Sequence, residues 1–106
     1  MVARGEIWLA ALDPTVGSEI KKTRPCIVIS PEEMNVHLRT VMVAPMTTGS
    51  HPAPFRIPVT FASKKGLILL DQIRTLDKQR LLKKVGSLSN RTLDSTLETL
   101  QAVFAK

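Results

Sequence analysis

The chain is 106 residues long, room for one domain (1–106) built around one modest core. Its 43% hydrophobic and 23% charged residues exclude a disordered chain, and no apolar run approaches the length that a bilayer demands. Fifteen Lys and Arg against nine Asp and Glu leave a net charge of +6, which suits a polyanionic partner and equally suits plain solubility.

Met1 to Gly5 leads into no apolar stretch of the kind a secretory signal needs, so the cytoplasm is the expected location. Gly5 to Leu12 reads as a first strand, with Ile7, Leu9 and Ala11 on one face. Asp13-Pro14 ends it, and Thr15 to Thr23 form a polar loop containing Gly17. Arg24-Pro25 opens a second strand that runs to Ser30. Proline holds the residue before it extended, which puts Arg24 at a loop–strand junction where a ligand can reach it. Cys26, the sole cysteine, lies in the apolar run Cys26-Ile27-Val28-Ile29 and reads as a buried small hydrophobe.

Ser30 to Asn35 reads as a short helical turn with Ser30 as its cap. Thr40 to Met46 is a third strand, with Pro45 marking a frayed or bulged end. Thr47 to Pro54 is a second irregular loop. Phe55, Ile57, Val59 and Phe61 alternate along the clearest strand in the chain. Lys64-Lys65-Gly66 is the expected turn, followed by a buried strand from Leu67 to Asp71 that Gln72 to Leu76 continues. Asp77 caps a single helical turn to Leu81, and Lys84 to Leu88 is a last short strand. Ser89 or Asn90 caps a C-terminal helix whose apolar stripe, Leu93, Leu97, Leu100 and Phe104, should face the core. Short strands and one terminal helix predict a mainly β fold, a small curled barrel with a helix packed on it. Trp8 and Phe55 are expected to serve in packing.

His37 and His51 stand in no metal spacing with Cys, Asp or Glu, and there is neither a glycine-rich phosphate loop nor a nucleophile elbow. No metal and no cofactor are therefore expected. Two loops are rich in polar groups: Glu19, Lys21, Lys22, Thr23 and Arg24 in the first, Thr47, Thr48, Ser50 and His51 in the second. If neighbouring strands join these loops, Arg24 and Thr47 would grip one phosphate, the guanidinium as a planar fork of donors and the hydroxyl as one more. That is what RNA cleavage needs when the substrate's own 2′-hydroxyl attacks and negative charge builds on phosphorus. An arginine before a proline is as readily a solvated surface residue, and threonines before a glycine as readily form a turn. The pattern alone leads no further than a basic, small, β-rich domain.

The motifs Arg4-Gly5-Glu6-Ile7-Trp8, Asp13-Pro14, Gly17-Ser18-Glu19, Arg24-Pro25 through Val28-Ile29-Ser30, Pro45-Met46-Thr47-Thr48 and Asp71-Gln72-Ile73-Arg74-Thr75-Leu76-Asp77 resemble the MazF/PemK toxin family in order and spacing. The resemblance runs from Arg4 to the C-terminal helix. It implies an SH3-like (CcdB/MazF-type) barrel with a C-terminal helix, a homodimer, and metal-independent cleavage of single-stranded RNA to a 2′,3′-cyclic phosphate and a 5′-hydroxyl. It also implies neutralisation by an antitoxin whose acidic C-terminal segment covers the RNA groove, and no contact with a membrane. The family's catalytic positions fall on Arg24, Thr47 and Glu19, and RNA contacts on Ser18, Lys21, Lys22, Thr48, Gln72 and Arg74. Glu19 is read either as the general base or as a contact to a nucleobase. His51 has a side chain suited to acid–base work. Arg74 either reaches the groove or pairs with Asp77. The rivals are a CcdB-like gyrase poison on the same fold and an RNA-binding module that never cuts.

Overall fold

The computed structural model describes residues 1–106. Seven strands and two helices follow one another as β1 (Glu6–Ala11), β2 (Thr23–Val28), α1 (Glu32–His37), β3 (Thr40–Thr47), β4 (Arg56–Phe61), β5 (Lys64–Leu69), β6 (Arg74–Asp77), β7 (Leu81–Ser87) and α2 (Asn90–Phe104). The strands form one antiparallel curled sheet in the order β4-β5-β3-β2-β1-β7, with β6 also paired to β3. This is the small barrel with a terminal helix that the sequence predicts.

β2 and β3 run through the middle of the sheet and are apolar on both faces, because each face has its own core. Ile27 and Ile29 from β2 and its extension join Ala44 and Met46 of β3 in one cluster, on which Leu100 of α2 packs. Cys26 and Val28 join Val41 and Val43 in the other, with Ala10, Leu12 and Leu76. Cys26 is fully buried, and burial pushes its thiol up to about 12, although Arg74 and Arg24 pull the other way. It is inert packing, as expected from the apolar run around it.

β1 departs from simple alternation. Its buried residues are Ile7 and Ala10, not Ile7, Leu9 and Ala11. The pairing with β7 slips between Ile7 and Trp8 and again between Leu9 and Ala10, and such bulges turn the strand so that Ile7 enters one core while Ala10 enters the other. Pro45 is likewise no frayed end. It is buried inside β3 opposite Cys26, at the point where β3 exchanges β6 (pairing Thr40 to Val43) for β5 (pairing Met46 and Thr47), so no ladder on that side needs its missing N–H.

Other expectations shift in detail. Ser30 does not cap α1. Its buried hydroxyl donates to Asn35 Oδ1 and accepts the Met42 N–H at 3.1 Å, tying α1 to β3, while Pro31 occupies the cap position. The β4–β5 turn is Ala62-Ser63, both at positive φ (52° and 65°), rather than Lys64-Lys65-Gly66, which belong to β5. Positive φ at both central residues is what a two-residue hairpin turn of type I′ requires, and the usual Asn-Gly signal is missing here. Asp77 caps its single turn by accepting the Gln79 N–H at 2.8 Å, and Ser89 caps α2 by accepting the Thr92 N–H at 3.2 Å. Leu93, Leu97 and Leu100 are half-buried, but Phe104 at the end of the stripe is 70% exposed. The last turn of α2 runs past the sheet. Trp8 packs on the second core, whereas Phe55 is exposed beneath the Arg56 guanidinium, 5.8 Å from the ring centroid.

Glu6 carries the most engaged carboxylate. Burial raises its pKa, but Lys84 Nζ at 2.8 Å, the Ala3 N–H at 2.9 Å and the Trp8 Nε1–H at 3.1 Å outweigh that and hold it below 4.5. A carboxylate whose pKa is lowered by folding stabilises the native state above its unfolded value and loses that effect as pH falls through its folded value. Urea midpoints of Glu6→Gln should therefore lie below those of the native chain at neutral pH, and the gap should close as the pH drops below about 4.5. Equal midpoints at neutral pH would show that the contacts of Glu6 contribute nothing.

Candidate functional site

The register of β2 on β3 pairs Cys26 with Pro45, Ile27 with Ala44 and Val28 with Val43. Arg24 lies two residues before Cys26 and Thr47 two residues after Pro45, so the ends of the paired strands bring the two residues to one place. Both line a cavity of about 280 Å³, with Pro25, Met46, Thr48, Phe61, Ala62, Lys64 and Gly66. Arg24 Nε donates to the Lys21 carbonyl at 2.9 Å, which fixes the plane of the guanidinium and leaves its terminal nitrogens unengaged. Thr47 Oγ1 accepts the Gly49 N–H at 3.2 Å, so its own proton remains free to donate into the cavity.

Gly66 closes this wall. A Cβ there would stand 2.8 Å from the Thr47 carbonyl oxygen, closer than side-chain carbons come to backbone. The missing side chain is what lets β5 lie tightly against the end of β3 and hold Thr47 in place.

A second cavity, of about 540 Å³, collects Ser18, Glu19, Gln72 and Arg74 with Val16, Ile20, Asp71 and Ile73. Glu19 is here, beside neither Arg24 nor Thr47, and its Oε1 accepts the Val16 N–H at 2.7 Å. Gln72 Oε1 accepts the Ile20 N–H at 2.6 Å and straps the first loop down. Arg74 donates to the Leu12 carbonyl at 3.1 Å and makes no ion pair with Asp77. Arg74 of the second cavity and Arg24 of the first both draw the pKa of the buried Cys26 thiol down, against the larger effect of burial.

Lys21 and Lys22 are exposed and line neither cavity. Lys22 holds a positive φ of 73° while its N–H donates to Asp13 Oδ2 at 3.2 Å. His51 is exposed, and its contribution is its carbonyl, which accepts from Arg56 at 2.9 Å. Arg56 also forks onto Asp71 at 3.1 and 3.0 Å, and that hydrogen bonding holds the Asp71 carboxyl below its ordinary value.

The cavities differ in charge. The first has two cations, Arg24 and Lys64, and no carboxylate among its walls. The second has Glu19 and Asp71 beside a single arginine. The first suits a phosphate, and the second suits the hydrogen-bonding edge of a base. Sequence reasoning missed Phe61, Lys64 and Gly66. Their signal was a Lys-Lys-Gly cluster that reads as a turn until the register of the hairpin is known.

The fold is that of the MazF toxins: a MazF from Deinococcus radiodurans superposes with a TM-score of 0.85 at 22% identity, covering 96% of this chain and 94% of that one. A mycobacterial endoribonuclease in complex with its cognate antitoxin superposes with a TM-score of 0.81 at 20% identity over 96% and 93% of the two chains. Residues 3–104 match the family model of the PemK-like, MazF-like toxins of type II toxin–antitoxin systems, and the chain belongs to that family. Endoribonuclease EndoA of Bacillus subtilis is 37% identical over 99% of this chain and 96% of its own length. Endoribonuclease MazF of Staphylococcus epidermidis is 41% identical over 84% and 79%.

Gly66→Ala should lower stability by about 1–3 kcal/mol, as overpacking against backbone does. A denaturant midpoint unchanged from the native chain would show that β5 can yield without disturbing Thr47.

Proposed function

We propose that this chain is a sequence-specific endoribonuclease toxin that cuts single-stranded RNA at the Arg24–Thr47 cavity, using no metal. The observation that carries it is the meeting of a free guanidinium fork and a free hydroxyl donor in one cavity without carboxylates. The endoribonuclease relatives support the same reading.

In this mechanism the 2′-oxygen of the substrate attacks the adjacent phosphorus and the bond from phosphorus to the 5′-oxygen breaks. The attacking oxygen loses its proton, the leaving oxygen gains one, and the products are a 2′,3′-cyclic phosphate and a 5′-hydroxyl. Negative charge grows on the non-bridging oxygens in between. Arg24 and Thr47 donate to those oxygens in a fixed geometry, so their interaction strengthens as the charge develops. Ser18, Glu19, Gln72 and Arg74 receive the neighbouring nucleotide, Glu19 by accepting from a base edge rather than by taking the 2′-proton. Thr48 borders the scissile phosphate, and Lys21 and Lys22 draw the strand toward the groove from the surface. Dependence on the 2′-hydroxyl makes RNA, not DNA, the substrate.

An acidic segment of an antitoxin would occupy the same cationic cavity and exclude RNA by direct competition. A homodimer fits the apolar surface left open around the end of α2. Leu97, Leu100 and Phe104 line a groove there with Ile29, Met42 and Ile73. A two-fold contact would cover Phe104, which otherwise faces water. No helix of this chain is long and apolar enough to cross a membrane.

With excess chelator and a long single-stranded RNA, the native chain should cut, and Arg24→Ala and Thr47→Ala should each lose roughly 10²–10³ in rate, the usual cost of a transition-state donor. Cutting that chelation abolishes, with both variants fully active, would overturn this mechanism. Sedimentation at micromolar concentration should show a species of about twice the 11.7 kDa chain mass. A lone monomer there would remove the dimer.

A further inference from the structure

Lys64 shares the cavity with Arg24 and Thr47 but has no partner in the protein. The paired cations are Arg56, on Asp71, and Lys84, on Glu6, while Lys64 is exposed and unengaged. Its direction follows from strand parity. A Cβ on Gly66 would point at the Thr47 carbonyl and, 3.6 Å away, at the Thr48 methyl. Side chains two apart on a strand share a face, so Lys64 projects with Gly66 and Ile68 on the side of Met46 and Thr48, and Lys65 projects on the other. Lys64 accordingly lines the cavity and Lys65 does not. The two-residue Ala62-Ser63 turn makes Lys64 the first residue of β5, paired with Phe61 across the hairpin, so the root of its side chain cannot drift. Two residues of strand separate it from Gly66, roughly 7 Å. That is a step of about one nucleotide along a strand whose scissile phosphate sits at Thr47.

We infer that Lys64 is a substrate-binding residue whose ammonium contacts the backbone phosphate next to the one held by Arg24 and Thr47. The hairpin tip thereby becomes part of the RNA track. This rests on the RNA-cutting reading of the cavity. A flexible, strongly hydrated ammonium suits a phosphate that must be held but not transformed, whereas the planar Arg24 fork suits the phosphate that reacts. Gly66 supports the assignment from the other side, because any side chain there would fill the space between Lys64 and Thr47.

The test uses the full chain with two probes. One is a long single-stranded RNA for cutting. The other is a fully 2′-O-methylated oligonucleotide carrying the mapped cleavage sequence, which binds but cannot react. Lys64→Gln should weaken binding of the methylated strand about 5- to 10-fold at low salt and flatten the log–log salt dependence by about 0.7, the share of one single-strand phosphate contact. In cutting assays the loss should appear in KM, with kcat within about twofold of native. Lys65→Gln, which removes the same charge one residue away, should leave the affinity within about twofold of native, and Lys64→Arg should restore most of the loss. Equal effects of Lys64→Gln and Lys65→Gln would overturn the inference in favour of a diffuse charge effect. A loss confined to kcat with an unchanged salt slope would also overturn it. In both cases a native chain that still cuts leaves the RNA-cutting reading standing. A native chain that neither cuts nor binds RNA would overturn both.

Discussion

The antiparallel ladder between β2 and β3 is the constraint on which the candidate site depends. It joins Cys26 to Pro45, Ile27 to Ala44 and Val28 to Val43, and so brings the strand ends that carry a guanidinium and a hydroxyl to one cavity. A slip of one residue would turn every side chain of β2 to the opposite face and move Arg24 out of the cavity. That slip is blocked by the cores on both sides. Ile27 and Ile29 fill one and Cys26 and Val28 fill the other, so neither face of β2 tolerates an exchange.

The same strand organises what surrounds the site. β3 serves β2 along one edge and first β6, then β5 along the other. β6 supplies Arg74, and the turn before it supplies Gln72 to the second cavity. β5 supplies Gly66 and Lys64 to the first. The polar first loop is long but anchored: Gln72 holds Ile20, Arg74 and Arg80 hold the carbonyls of Leu12 and Ala11, and Asp13 accepts the Lys22 N–H. Function therefore sits on loops whose ends are tied to rigid strands, so positions can be precise while the loop tips still adapt to a flexible polymer.

The split of charge between the two cavities fits a division of labour under the proposed function. Cations without carboxylates would hold the anionic backbone, and carboxylates beside one arginine would offer acceptors and donors for bases. Affinity and specificity would then be carried by different residues. Under the same proposal a carboxylate-rich peptide would compete for this cationic cavity, linking catalysis to neutralisation through one surface.

Much of the architecture was legible in the chain. The alternation of Ile57, Val59 and Phe61, the Ser89 cap, the Asp77 cap and the buried character of Cys26 all follow from local chemistry, because hydrophobic period, capping and apolar context act over a few residues. The motif order identified the family, and Arg24 and Thr47 were singled out by residue type and strand ends. Other features were decided by tertiary structure alone. The bulges of β1, the burial of Pro45, the diversion of Ser30 from capping to a buried network, the two-residue turn at Ala62-Ser63, the placing of Glu19 apart from Arg24, and the position of Lys64 over the cavity all depend on which strands lie side by side and in what register. Register is a contest between distant cores, and no local pattern encodes its outcome.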